Sequence, residues 1–181
     1  MTGSGKTTLA RILASRYKAA GGDVAVLDPF RGTWPAKKHF RSLDSLRSYM
    51  QRKRGLLVVI DEAAWKLNRW AETDNWFATQ SRHREHSVIF ITQGYKGISP
   101  TIRDQCRRIW VLPQKITRVE VIAEETNCPW PWPRIDDYGG PGMFCAWRID
   151  VQAPISKVSR WNFDLAGNLR KTLECPGSTA V

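Results

Sequence analysis

Three short stretches carry residues suited to handling a phosphorylated ligand: Gly3-Ser4-Gly5-Lys6-Thr7-Thr8, Ile60-Asp61-Glu62 and Ile91-Thr92-Gln93. The first matches the second half of the phosphate-cradling pattern G-x-x-x-x-G-K-[ST]. Its glycines let the backbone curl with N–H groups turned inward, and its lysine reaches the β- and γ-phosphates. Taken alone, the same run also suits a flexible Gly/Ser-rich tail. The acidic pair that follows a buried apolar run further along argues for the loop.

On this reading Thr2, Gly3, Ser4, Gly5, Lys6, Thr7 and Thr8 are the expected nucleotide contacts. Thr7 adds a hydroxyl to a Mg²⁺ shell. The opening glycine of the pattern would fall just before Met1, and the strand that feeds such a loop further upstream. The expectation is therefore that the sequence begins partway through the motif or that the fold compensates.

Asp61 and Glu62 end the run Gly55-Leu56-Leu57-Val58-Val59-Ile60, whose consecutive apolar residues predict a strand buried on both faces. Open α/β sheets bind ligands at the carboxyl ends of their strands. Asp61 is the expected second Mg²⁺ ligand, direct or through water, and Glu62 the base that orients an attacking water. An acidic pair after a strand is otherwise a common helix cap. Gln93 ends a second buried run, Ser87-Val88-Ile89-Phe90-Ile91, where its amide can sense a γ-phosphate or hold the water.

The elements that must position these residues are legible around them. Leu9, Ile12, Leu13 and Tyr17 recur at helical spacing, so the glycine loop opens onto a helix N-terminus, where an anion is favoured. Gly21-Gly22 stops that helix, and Asp23–Leu27 reads as a short strand. Ser42 caps a helix with Leu43, Leu46 and Met50 on one face. Residues 65–84 read as mostly helical, and Ser99-Pro100 opens a short helix. Arg108–Leu112 is a further strand, 117–126 a helix, and 143–149 a strand after a Gly-Gly-Pro-Gly turn. Cys128-Pro129-Trp130-Pro131-Trp132-Pro133 predicts an extended aromatic linker, and the chain from Cys175 onward a frayed end.

The totals set limits. At 181 residues the chain is long enough for a real core, and no apolar run approaches the ~20 residues that span a bilayer. No signal peptide is evident. The four cysteines are widely spaced without a C-x-x-C pair, which argues against a zinc knuckle and for reduced thiols. A formal charge of +11 suits a polyanionic partner, although a basic surface alone is often only solvated. Arg31, Lys37, Lys38, Arg41, Arg47, Arg52, Lys53 and Arg54 stand against Asp44 alone, a stretch able to follow a nucleic-acid backbone or simply to face water.

The segment Ser81-Arg82-His83-Arg84-Glu85-His86-Ser87-Val88-Ile89-Phe90-Ile91-Thr92-Gln93, followed by Ile98-Ser99-Pro100-Thr101-Ile102-Arg103, resembles the FtsK–HerA superfamily of DNA-pumping ATPases. Within it the chain is similar to viral genome-packaging ATPases and to the ATPase domain of zonula occludens toxin-like phage proteins. The resemblance covers roughly residues 1–125. It implies Lys6 and Thr7 as the Walker A pair, Asp61 and Glu62 as the Walker B pair, and Gln93 as sensor. It also implies a homo-oligomeric ring, often a hexamer, with an arginine reaching the neighbour's γ-phosphate; Arg82 and Arg84 come first as candidates, then Arg103. A non-catalytic role stays open for the case in which the truncated P-loop is real and cannot hold phosphate.

The expected architecture is a three-layer α/β P-loop NTPase with a mostly parallel, RecA-like sheet over residues 1–126 and a small irregular C-terminal appendage over 127–181. The expected function is ATP-driven movement of double-stranded DNA into a preformed capsid, with ATP and Mg²⁺ as ligands and a capsid vertex protein as a further partner. The host-cell cytoplasm or a virion vertex is the expected location. Two alternatives stay open: an ATPase for filamentous phage assembly, and a small-molecule P-loop kinase, against which Glu62 and Gln93 argue.

Overall fold

The computed structural model describes residues 5–30, 32–67, 72–113, 116–128, 143–151 and 156–175. Thr2, Gly3, Ser4, residues 129–133 of the Trp-Pro run and the expected frayed end beyond Cys175 lie outside these. Internal contacts divide the chain into Thr7–Gln105 and a second unit of Met1–Lys6 with Cys106–Val181.

The first unit is built on a parallel sheet. Helix α1 (Lys6–Ala19) leads to β1 (Asp23–Leu27), and β2 (Lys38–Phe40), α2 (Leu43–Gln51) and β3 (Leu56–Ile60) follow. Next come α3 (Ala63–Lys66), α4 (Glu72–Thr79), β4 (Ser87–Phe90) and α5 (Pro100–Asp104). The strand order is β2-β1-β3-β4, every pair parallel, with Leu27 opposite Ile60 and Ile60 opposite Phe90.

Every residue of β3 is buried, because its apolar side chains feed two cores at once. Val58 and Ile60 join Leu27, Leu46, Met50, Phe77 and Ile102 on one face. Leu57 and Val59 join Val24, Val26, Ala10 and Ala14 on the other. The alternation of side chains along a strand divides them this way, and helices on both faces give the expected three layers. At the β2 edge Lys38 and His39 are exposed, a charged border that discourages further pairing.

Local signals set the boundaries. Ser42 accepts a hydrogen bond from the Ser45 amide at 3.3 Å to cap α2, and Ser99 does the same for Ile102 ahead of Pro100 in α5. The long helical stretch read over 65–84 is broken: α3 and α4 are separate, and Ser81–Arg84 forms a tighter 3₁₀ turn. Buried His86 then ties three segments together. Its Nδ1 accepts from the Leu56 amide at 3.1 Å, which leaves Nε2 to donate to the Met50 carbonyl at 3.0 Å. Arg47 does not face solvent with the other basic residues; it pairs with Asp74 at 3.6 Å and lies over the Phe77 ring.

In the second unit, β5 (Arg108–Val111) pairs antiparallel with β6 (Met143–Asp150), then β7 (Lys157–Asp164) and β8 (Leu169–Cys175), in that order. Helix α6 (Ile116–Glu125) buries Val119, Ile122 and Ala123. Its end is closed by Asn127 in the left-handed region and by Cys128 N–H donating to the Ala123 carbonyl at 2.9 Å.

The C-terminal region is thus more regular than the sequence suggested, and internal contacts group it with residues from Cys106 onward. The reason is pairing. Arg108–Val111 finds its partner in Trp147–Asp150, a relation between distant segments that no local pattern encodes. Polar residues interrupt the apolar alternation of Lys157–Asp164, which hides that strand as well.

Candidate functional site

The parallel strands bring the acidic pair and the polar strand end together. Asp61 follows β3 directly and its N–H donates to the Leu27 carbonyl of neighbouring β1 at 2.9 Å. Its Oδ1 accepts from the Glu62 N–H at 2.9 Å, and its Oδ2 accepts from the Thr7 hydroxyl at 3.4 Å. Burial pushes the Asp61 carboxyl above the ordinary range, and the charges of Asp28 and Glu62 push the same way. The Glu62 N–H and the Thr7 hydroxyl only partly counter this.

Glu62 sits at φ 51°, ψ 45°, the left-handed region that a residue with a Cβ enters at a cost of roughly 1–2 kcal/mol. That turn swings the chain from β3 into α3 and sends the carboxylate toward β4. There the Gln93 amide donates to Glu62 Oε1 at 3.1 Å. Glu62 Oε2 is buried with no hydrogen-bond partner. Gln93 itself is exposed, on the loop that leaves β4.

On the far side of the glycine loop, Gly5 holds φ +85°, a conformation that favours glycine, and α1 begins at the next residue. The 14-residue helix therefore presents its N-terminus immediately after the loop, with Thr7 in its first turn.

A residue the motif search passed over completes the site. Asp28 ends β1 as Asp61 ends β3, and its side chain is 6% exposed. Its carboxylate accepts from Phe30 N–H and Gly32 N–H, each at 2.7 Å, and from Trp34 Nε1 at 2.8 Å. Burial alone would raise its pKa. The hydrogen bonds from Trp34, Phe30 and Gly32, with the Arg11 charge, outweigh burial and hold it below the ordinary range. Arg11 lies over the Trp34 ring at 5.2 Å. The signal was present in the sequence: Val24-Ala25-Val26-Leu27-Asp28 repeats the grammar of Leu57-Val58-Val59-Ile60-Asp61.

The three arginines fall in two places, Arg82 and Arg84 in the turn before β4 and Arg103 in α5. Arg103 Nη1 donates to the Ile98 carbonyl at 3.3 Å, and its guanidinium lies 4.9 Å from the Tyr95 ring centre. Exposed Arg82 donates to the Gln105 carbonyl. Arg82 and Arg84 belong to the turn that precedes β4, where the Arg84 carbonyl accepts from Gly55 N–H ahead of β3. They stand at the opposite end of the parallel strands from Asp61, Glu62 and Gln93. At about 3.3 Å per residue that is on the order of 15 Å away.

Thr7 and Asp61 provide adjacent hard oxygen donors, one hydroxyl and one carboxylate, as a Mg²⁺ site completed by phosphates and waters requires. Three neighbouring acids, one of them with a raised pKa, are the environment a divalent cation relieves. The residues present fit the ion. Among the described residues no group of three or more His, Cys, Asp or Glu side chains forms a self-sufficient metal cage.

A parallel sheet between helical layers, a Gly-Lys-Thr turn opening a helix and an Asp-Glu pair at a central strand end define the P-loop NTPase fold. Solved structures agree. The genome packaging NTPase B204 from Sulfolobus turreted icosahedral virus 2, in complex with ATP-gammaS, is similar with a TM-score of 0.60 and 14% identity, over 87% of this chain and 92% of that one. The DNA-packaging ATPase B204 from Sulfolobus turreted icosahedral virus gives 0.60 and 14%, over 86% and 91%. The N-terminal domain of zonular occludens toxin from Neisseria meningitidis gives 0.51 and 16%, over 84% and 81%. These are the two kinds of protein the sequence resembles. No protein-family model and no curated protein sequence matches the chain.

Proposed function

We propose that the chain is an ATPase that moves double-stranded DNA, in the manner of a viral genome-packaging motor. One observation carries the hydrolytic part: the ends of two adjacent parallel strands hold Asp61 beside Thr7 and Glu62 beside Gln93. The structural neighbours that are packaging NTPases support the choice of DNA as the cargo, as does the charge of +11.

The roles follow from position. The loop amides, Lys6 and the α1 N-terminus bind the phosphates. Thr7 and Asp61 would hold Mg²⁺, which would supply charge neutralisation to the phosphates. Glu62 takes the proton of the attacking water, and Gln93 fixes the Glu62 carboxylate in place to receive it. Arg82 and Arg84, at the wrong end of their own strands, serve only a neighbouring copy, which calls for a ring. A capsid vertex protein is the partner that would hold such a ring on a virion. Exposed Lys38, Arg41, Arg52 and Lys53 offer contacts to DNA phosphates without reading base sequence. No described helix is long and apolar enough to cross a membrane.

The test is ATP hydrolysis by the purified chain with and without duplex DNA across a salt series, beside Glu62→Gln. DNA-stimulated turnover that salt suppresses and Glu62→Gln abolishes supports the motor. Turnover indifferent to DNA favours the second reading, an assembly ATPase like the toxin-related neighbour. Phosphorylation of a nucleotide acceptor would favour a kinase.

A further inference from the structure

We propose that one face of the C-terminal antiparallel sheet is a binding platform for single-stranded nucleic acid, centred on Trp110, Arg148 and Trp161. Directly paired residues in an antiparallel sheet share a face. Trp110 pairs with Arg148, Arg148 with Ser159, Asp150 with Lys157, and Trp161 with both Ala146 and Lys171. One surface therefore carries two indoles, a guanidinium between them and a set of lysines.

The centre of this surface is rigid. The two indole rings meet edge to face at 5.6 Å. The Arg148 guanidinium lies 5.4 Å from the Trp161 ring and 5.9 Å from the Trp110 ring. Asp150 grips that guanidinium through Nε at 3.0 Å and Nη2 at 2.7 Å. Trp161 Nε1 donates to Ser159 Oγ at 2.9 Å, which fixes the tilt of the ring. The β-bulge between Arg160 and Trp161 shifts the register so that Lys171 stands beside Trp161. All of this ordering is complete before a ligand arrives, so binding has little entropy left to lose.

The surface is positive at its border. Trp110 and Trp161 are half-buried, and Arg108, Lys157 and Lys171 are exposed. Among the described side chains, the acid at this face is Asp150, already shared between Arg108 and Arg148. Planar cation and aromatic groups flanked by exposed lysines suit a chain of bases joined by phosphates: bases stack on indole and guanidinium planes while lysines meet the backbone. A duplex hides its base faces and would use only the lysines. An acidic peptide would use the charge and leave the rings idle.

This proposal is independent of hydrolysis and is tested on the full chain without nucleotide. Fluorescence anisotropy is measured with a short oligo(dT), a duplex of equal length and poly-glutamate. The comparison is between the unaltered chain and Lys157→Glu/Lys171→Glu, whose exposed positions spare the core. The expected result is stronger binding of oligo(dT) than of poly-glutamate, with duplex binding, which the basic stretch of the Thr7–Gln105 unit can supply, left within about twofold by the double variant. The double variant should weaken oligo(dT) binding at least about tenfold, with a salt slope shallower by about 1.4 for two lost phosphates. Photocrosslinking with 5-iodouracil-substituted oligonucleotide should place adducts on Trp110 or Trp161. Equal binding of poly-glutamate, an equal loss of duplex and oligo(dT) binding in the double variant, oligo(dT) binding by the double variant within about twofold of the parent, or adducts confined to the Thr7–Gln105 unit would each overturn it.

Discussion

The Gln93 side-chain amide donates to the Glu62 carboxylate across the ends of two adjacent parallel strands, at 3.1 Å. The contact joins the base expected to activate water to the residue expected to feel the γ-phosphate. Any ligand that draws the Gln93 amide toward itself must loosen its hold on Glu62.

Gln93→Ala is therefore expected to lower ATP turnover by about tenfold or more while leaving nucleotide affinity and thermal stability close to the parent. General-base catalysis is worth ~10²–10⁴-fold, and a misdirected base forfeits part of it. Steady-state kinetics beside a fluorescent-nucleotide titration separates the two effects. An equal loss in kcat and affinity would place Gln93 on the phosphate alone.

Asp61 is expected to weaken the ligand-free fold at neutral pH. Its pKa is raised on folding, so the folded state favours its protonated form. Its contribution to stability is present at low pH and is lost as pH rises through the raised value. Asp61→Asn should accordingly raise the melting temperature of the ligand-free protein at pH 7. Mg²⁺ with a non-hydrolysable ATP analogue should then stabilise the parent more than the variant, a difference that calorimetry reads directly.

His86 gives the opposite slope. Burial holds its pKa below 6.5, with the hydrogen bond to Met50 pulling the other way and the Arg84 and Arg54 charges adding to the depression. Because the depressed group is neutral in the fold, its contribution is full above about pH 6.5 and is lost as pH falls through the lowered value. Urea unfolding at pH 7.5 and pH 5.5 should show a drop in stability for the parent. That drop should shrink in His86→Gln, even though this variant is less stable overall.

Asp28→Ala should destabilise the chain by about 2–4 kcal/mol. It removes the acceptor for two backbone amides and the Trp34 indole and leaves Arg11 without its charge partner. Denaturant midpoints at constant m measure this loss. A change below about 1 kcal/mol would mean that water replaces the carboxylate in the loop.

Gly97→Ala should cost about 1–3 kcal/mol and depress turnover together, because a new Cβ would meet the Ala64 Cβ at 2.8 Å. Ala64 lies in the short helix that begins directly after Glu62, so the strain reaches the Glu62 turn. Gly94→Ala, where nothing lies within 4 Å of the added atom, is the control and should change little.

The parallel sheet and the acidic pair at its centre were legible because each is written locally. Leu56–Ile60 is apolar throughout, and Asp61-Glu62 stands directly after it. Ser42 and Ser99 capped their helices as their neighbours implied. What escaped was relational. Lys38–Phe40 is a strand only because β1 offers it an edge, and three residues in a basic stretch carry no period of their own. Arg47 reads as a surface cation until α4 sets Asp74, Trp76 and Phe77 around it. The C-terminal sheet takes in β5 only through its pairing with distant β6, and a one-residue bulge in β8 further blurs its alternation.

The left-handed backbone at Glu62 sets stability against chemistry at a single codon. Glycine or asparagine would occupy φ 51° with less strain, so a library screened only for heat resistance should drift toward them at this position. The same library passed through a step that demands turnover should return glutamate. The two selections would then part company at residue 62 while agreeing across the neighbouring strand, and the sequencing counts alone would mark where the molecule gives up stability for work.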